Sequence, residues 1–193
     1  LSLAQTSTSL SAGAGSDTLS FANSITAVSI AGDAGSDLVS ITAGVYGSTL
    51  AGGSDNDSFY FGTTVSNTYV SLDAGTDFAV FHNFFSGDSV IRGGAGHDTF
   101  VFNSSVDAGV TIDAGDNNDS IYFSLGLTST TMTGGAGNDT YNFANNGTIS
   151  AVQVSLGAGV DSVVFATTAS ATSVFSNSTI VGGGGNTTAV FGS

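Results

Sequence analysis

A Gly-rich acidic turn returns along this chain at an almost fixed interval: GAGSD (13–17), GDAGSD (32–37), GGSDND (52–57), DAGTD (73–77), GGAGHD (93–98), AGDNND (114–119), GGAGND (134–139), GAGVD (157–161) and GGGGNT (182–187). The turns end on Asp17, Asp37, Asp57, Asp77, Asp98, Asp119, Asp139, Asp161 and Thr187, separated by 20, 20, 20, 21, 21, 20, 22 and 26 residues. This period constrains the fold more than any other property of the sequence. A repeat of that length coils the chain and returns each repeat position to the same place on every coil.

Aligned on the turn-ending residue, the apolar residues fall into three columns. Four residues after it stand Phe21, Ile41, Phe61, Phe81, Phe102, Phe123, Phe143, Phe165 and Phe191. Two residues after it stand Leu19, Val39, Phe59, Ala79, Phe100, Ile121, Tyr141, Val163 and Ala189, and seven before it Leu10, Ile30, Leu50, Val70, Ile91, Ile112, Met132, Val154 and Ile180. The hydroxyl of Tyr141 is the one polar tip among them. Apolar residues at +2 and +4 have the period of a strand with one buried face. The expected fold is therefore all-β: a parallel β-solenoid of about nine coils, each of ~20 residues with two short strands. Residues 1–193 form one repeat domain in this reading, with Ser, Thr, Asn and Gly at the second corner, as in FANSITA (21–27) and FGTTVSN (61–67). An antiparallel sandwich also uses short strands and Gly-rich turns, but it explains neither the fixed period nor the Phe column. The longer last interval, 166–180, is expected to bulge as a loop.

Composition agrees with turns and strands. All 15 acidic residues are Asp, Arg92 is the one Lys or Arg, and the formal net charge is −14. Asp favours turns and supplies oxygen to hard cations. With so little basic surface, nucleic acid is excluded as a partner and an anionic membrane surface is disfavoured. No apolar run is long enough to insert in a bilayer. His82 and His97 neither recur nor pair with Cys, which argues against zinc. No Ser/His/Asp set or basic cluster is visible, so the chain is not expected to be an enzyme.

Stacking the coils sets like residues about 4.8 Å apart, which suits Phe and penalises Asp. Two unit charges at that distance repel by about 3.5 kcal/mol at an effective dielectric of 20, and by about 0.9 kcal/mol in bulk water. Eight aspartates in a row accumulate a repulsion comparable to the ~5–15 kcal/mol that stabilises a whole domain. Cations or raised pKa values must intervene. The bland alternative is that each Asp merely caps its turn through Asx-type hydrogen bonds.

The segments GGAGHDTFVF (93–102) and GGAGNDTYNF (134–143) resemble the haemolysin-type calcium-binding repeat of RTX proteins, G-G-x-G-x-D followed by alternating apolar residues. The resemblance implies a parallel β-roll that binds Ca²⁺ between neighbouring coils. Carried over by position, it implies carboxylate ligands Asp17, Asp37, Asp57, Asp77, Asp98, Asp119, Asp139 and Asp161. It also implies carbonyl ligands from Gly93, Ala95 and His97 in one copy, and from Gly134, Ala136 and Asn138 in another. RTX rolls repeat every nine residues and carry metal turns on both edges. Here the motif occurs once per coil, so a single file of ions is expected, with weak or empty sites at Asp77, Asp119 and Asp161, where the turns are irregular.

The function expected is that of an extracellular, bacterial cell-surface structural rod folded by Ca²⁺, serving a surface layer, filament or adhesin stalk. The resemblance further implies secretion in an unfolded state. Without an evident cap, the solenoid is expected either to be flanked by more polypeptide or to self-associate, end to end or laterally. Two other readings stand beside it. One is a calcium-dependent ice- or carbohydrate-binding module, although the position that would carry an ice-binding Thr reads mainly Ala, at Ala14, Ala34, Ala95, Ala136 and Ala158. The other is the RTX module of a larger secreted toxin or hydrolase.

Overall fold

In the computed structural model, which describes residues 5–107, 109–143, 147–165 and 175–191, the chain is a parallel β-solenoid and no helix occurs among the described residues. One sheet collects the strands that lead into the acidic turns, from Ser9–Ala14, Ser29–Ala34 and Thr49–Ser54 through to Gln153–Ser155 and Thr179–Val181. A second collects the strands that leave them, from Thr18–Phe21 and Leu38–Ile41 to Asp161–Phe165 and Thr187–Phe191. Each has nine strands, all parallel, and encloses about eight full turns, close to the nine coils expected from the period.

A third wall adds to the two strands per coil that the sequence pattern predicts. Two-residue strands at Gln5–Thr6, Ile25–Thr26, Val45–Tyr46, Val65–Ser66 and Phe85–Ser86 form one sheet, and Leu127–Thr128, Ile149–Ser150 and Phe175–Ser176 another. Val106 bridges Phe85 and Leu127 and so links the two. From the second coil on, this wall contributes one inward apolar residue per coil, and Ile25, Val45, Val65, Phe85, Val106 and Leu127 are almost wholly buried. A lone apolar residue among polar ones has no period-2 partner, which is why this column hides inside the polar second corner. That corner is closed by hydroxyls: the amides of Val28, Ser48 and Thr68 donate to the hydroxyls of Ser48, Thr68 and Ser89 in the following coils, at 3.1, 3.4 and 3.1 Å.

The register keeps each column intact. Val70 pairs with Ile91, Ile112 with Met132, and Phe81 with Phe102. The rings of Phe61, Phe81, Phe102, Phe123, Phe143 and Phe165 form one stack, with centroids 4.7–5.2 Å apart and planes inclined by 8–11°. The strand spacing of a sheet is close to the distance at which aromatic rings stack, so one geometry satisfies both. In the last interval, residues 166–174 of the expected loop lie outside the described residues. Phe175–Ser176 and Thr179–Val181 are strands, paired with Ile149–Ser150 and Gln153–Ser155, so the loop does not extend to residue 180.

Phe102 is 1% exposed and stacked on both sides. Replacing it by Ala should lower the unfolding free energy by about 3–5 kcal/mol in a urea titration. Tyr60→Ala, on the outer face, should cost far less.

Candidate metal centre

Alternation along the strand that follows each turn turns the +2 and +4 side chains inward, and it turns the turn-ending Asp inward with them. The acidic row therefore lies inside the solenoid wall. Asp37, Asp57, Asp77, Asp98, Asp119, Asp139 and Asp161 are each no more than 3% exposed, whereas Asp17, in the first coil, is half-buried. Seven of the eight sequence-derived carboxylates are thus brought into one buried file, headed by the eighth.

The two oxygens of each carboxylate have different surroundings. Oδ1 accepts the backbone N–H of the Asp one coil earlier: Asp17 N–H donates to Asp37 at 2.7 Å, Asp57 to Asp77 at 2.6 Å, Asp98 to Asp119 at 2.8 Å and Asp139 to Asp161 at 3.0 Å. Asp37, Asp77 and Asp119 donate likewise to Asp57, Asp98 and Asp139. Oδ2 of every Asp from 37 to 161 in the file is buried with no hydrogen-bond partner. A buried oxygen left unpaired in this way is costly, and more so when the group is ionised.

The turns bring backbone oxygen close to these atoms. Gly94 and Gly96 adopt φ of 111° and 133°, a region L side chains rarely enter, and this folds the chain tightly between strand and strand. At the position five residues before each Asp the sheet register skips a residue: Ser71 pairs with Arg92 and Asp73 with Gly94, while Leu72 and Gly93 do not pair. The point that a Cβ would occupy on Gly93 lies 2.4 Å from Asp98 Oδ2 and 2.1 Å from the Ala114 carbonyl oxygen. On Gly134 the same point lies 2.5 Å from Asp139 Oδ2 and 2.2 Å from the Leu156 oxygen. A carboxylate oxygen and a carbonyl oxygen converge over each of these glycines, and a hard cation takes oxygen ligands of both kinds. No group of three or more His, Cys, Asp or Glu side chains that could hold a metal occurs among the described residues. Each level offers one buried carboxylate, and the other oxygens must come from the backbone.

The remaining sequence-derived ligands sit differently. Gly93 and Gly134 are buried beside the file. Ala95 and Ala136 face outward, and their carbonyls accept the amides of Gly75 and Asn117 at 2.9 and 2.5 Å. His97 and Asn138 are exposed and build an outer ladder: the Asn118 amide donates to His97 Nδ1 at 3.1 Å, and the Val160 amide to Asn138 Oδ1 at 2.7 Å. Asp33, Asp73 and Asp113 stay outside the file, bound by the hydroxyls of Ser11, Ser71 and Thr133. Arg92 Nε reaches Asp113 at 3.7 Å.

Two features escape sequence reasoning. One is the carbonyl of the neighbouring coil at the skipped register position, whose only sequence signal is the Gly, Ala or Leu found there. The other is Tyr141, fully buried with its hydroxyl unpartnered. Burial, and then the charges of Asp139, Asp119 and Asp161, push its ionisation upward, so the hydroxyl stays protonated beside the acidic file.

A family model of the RTX calcium-binding nonapeptide repeat matches residues 86–107 and 131–145, in 4 copies. No curated protein matches the sequence. Among solved structures, the fold is similar to a hyperactive, Ca²⁺-dependent, β-helical antifreeze protein from an Antarctic bacterium, with a TM-score of 0.60 and 20% identity. The match covers 95% of this chain and 60% of that one, so the chain spans well under two thirds of that protein's length. At this identity the likeness concerns the fold alone.

Burial raises the carboxyls of Asp57 and Asp98 to about 6, and those of Asp77 and Asp119 to about 7, from an ordinary 3.8. Asp139 moves in the same direction, again chiefly through burial. A group raised in the folded state binds more protons folded than unfolded, so its stabilisation is complete below about pH 4 and is lost as pH climbs through 6 to 7. The urea midpoint of the chelated protein should therefore fall between about pH 5 and pH 8; a rising midpoint would show that the bare file is not protonated in this way. The residues that match the RTX calcium-binding nonapeptide repeat, 86–107 and 131–145, thus lie in a parallel β-solenoid whose stacked turns each bury one carboxylate beside backbone oxygens.

Proposed function

We propose that the chain is an extracellular structural rod that Ca²⁺ folds and stiffens, serving a bacterial cell-surface layer, filament or adhesin stalk. The observation that carries this reading is the file of buried Oδ2 atoms without partners. Ionised and bare, such a file opposes folding; with divalent cations between its levels, it joins coil to coil. Asp37, Asp57, Asp77, Asp98, Asp119, Asp139 and Asp161 are the carboxylates positioned for this, with backbone carbonyls of adjoining coils as further donors. The ion supplies positive charge to oxygens that no protein donor reaches.

Metal binding and folding are then one equilibrium. Where calcium is scarce the chain stays open and exportable; where it reaches about 10⁻⁴ to 10⁻³ M, a range typical of extracellular modules, the coils close. The low content of basic residues suits calcium-mediated contact between acidic faces, and self-association of rods follows from the same chemistry. No helix among the described residues is long and apolar enough to cross a membrane. A catalytic role has no support from the site, which holds a row of equivalent carboxylates instead of a cluster of different groups.

Circular dichroism across a calcium titration at about pH 8 tests the switch. Strand signal should appear cooperatively with calcium and disappear in excess chelator. Full strand content with calcium removed would refute the reading.

The fold shared with a Ca²⁺-dependent antifreeze protein favours a second reading, an ice-binding face. The outward positions three and one before each Asp would form that face. From Asp17 to Asp161 they read Ala14, Ala34, Ser54, Ala74, Ala95, Asp116, Ala136 and Ala158 in one row, and Ser16, Ser36, Asn56, Thr76, His97, Asn118, Asn138 and Val160 in the other. Such rows lack a regular array of hydroxyls, so thermal hysteresis in calcium should be negligible; a clear hysteresis gap would establish the second reading.

A further inference from the structure

The position five residues before each turn-ending Asp is glycine at some levels of the repeat and carries an apolar side chain at others. It is Gly32, Gly52, Gly93 and Gly134 beside Asp37, Asp57, Asp98 and Asp139. Beside Asp77, Asp119 and Asp161 it is Leu72, Ala114 and Leu156, and beside Asp17 it is Ala12. The register aligns these residues coil on coil: the pairs on either side set Leu72 level with Gly93, and Ala114 level with Gly134.

At the four glycines, the point a Cβ would take lies 2.3–2.5 Å from the Oδ2 of the same level and 2.1–2.6 Å from the carbonyl oxygen of the next coil. The absent side chain is what lets those two oxygens close in over the glycine backbone. Leu72, Ala114 and Leu156 are 0% exposed and carry side-chain carbon at the equivalent position. A Cβ does not tolerate oxygens as close as those glycine contacts, so a side chain here holds the two oxygens apart and offers a cation no ligand.

We propose that this residue selects which levels of the file hold Ca²⁺. The levels of Asp37, Asp57, Asp98 and Asp139 each take one ion, and those of Asp77, Asp119 and Asp161 take none. The proposal rests on the calcium reading above and refines it.

Charge supports the same count. Four divalent ions carry eight positive charges, matching the eight carboxylates of the row from Asp17 to Asp161. An ion at each of the seven buried levels would leave the row with six excess positive charges in a poorly solvated wall. Spacing agrees as well. From Asp57 onward the glycine levels alternate with blocked ones, which doubles the ion–ion distance and so halves each nearest-neighbour repulsion. Asp77 and Asp119 then each lie between two cations and help neutralise both, and Asp161 flanks the last of them. The cause differs from irregular turn spacing, although both pick out Asp77, Asp119 and Asp161.

Native mass spectrometry of the calcium-loaded full chain after buffer exchange counts the ions. The wild type should retain four. Leu72→Gly should retain five and Gly93→Ala three, with circular dichroism confirming that each variant is folded; if Gly93→Ala does not fold, Leu72→Gly still decides. Anomalous scattering from an ytterbium-soaked crystal should place peaks at the levels of Asp37, Asp57, Asp98 and Asp139 only. Seven or more retained ions, or an unchanged count in Leu72→Gly, would overturn the selection while leaving calcium binding intact. Zero retained ions together with a calcium-independent fold would overturn both.

Discussion

Stacking identical coils at the strand spacing forces every residue against its own kind, and the rest of the structure follows from how each column meets that condition. Phenylalanine meets it well, because rings stack at the same distance at which strands pair. Hydroxyl residues meet it by accepting an amide from the preceding coil, as Ser48, Thr68 and Ser89 do. Aspartate meets it only in part. One oxygen accepts a backbone amide and the other is left without a donor. A fold that gains its core from repetition thereby acquires a charged seam from the same repetition, and a cation held in the turn would resolve that conflict.

Much of this was legible in the sequence because columns are one-dimensional. The interval between Asp17 and Asp37 predicts that the two will align, and the register of Thr18 on Leu38 bears it out. What stayed hidden depended on direction or on single residues. Ile25, Val45 and Val65 form a wall of their own, yet each stands alone between polar neighbours and so leaves no alternation to detect. The inward turn of the aspartates was not evident either. An acidic residue in a Gly-rich turn reads as exposed, and only the alternation linking Asp98 to Phe100 and Phe102 places its carboxylate inside.

The Gly, Ala and Leu of the skipped register position show why a consensus understates such a repeat. As turn residues they look interchangeable with the glycines around them. In the structure the glycines are the positions over which a buried carboxylate oxygen and the next coil's carbonyl close in, too near for any Cβ. His97 and Asn138 show the converse. They belong to the repeat motif, yet their side chains face outward and link amides of successive coils, a structural duty that any acceptor of similar reach can perform.

Direction along the rod also matters. In the inner ladder each amide donates forward, to the carboxylate of the next coil. In the outer ladder the amide donates backward, to the side chain of the coil before: Thr76 to Asn56, and Asn138 to Asn118. Each turn is therefore held from both sides by groups that exist only once its neighbours have formed. A coil cannot complete its own hydrogen bonds, and the charge of its carboxylate is least favourable when adjoining levels are ordered but uncompensated. Folding of the rod is in that sense a collective property of the acidic file, and a cation entering one level acts on the two coils that frame it, not on one turn alone.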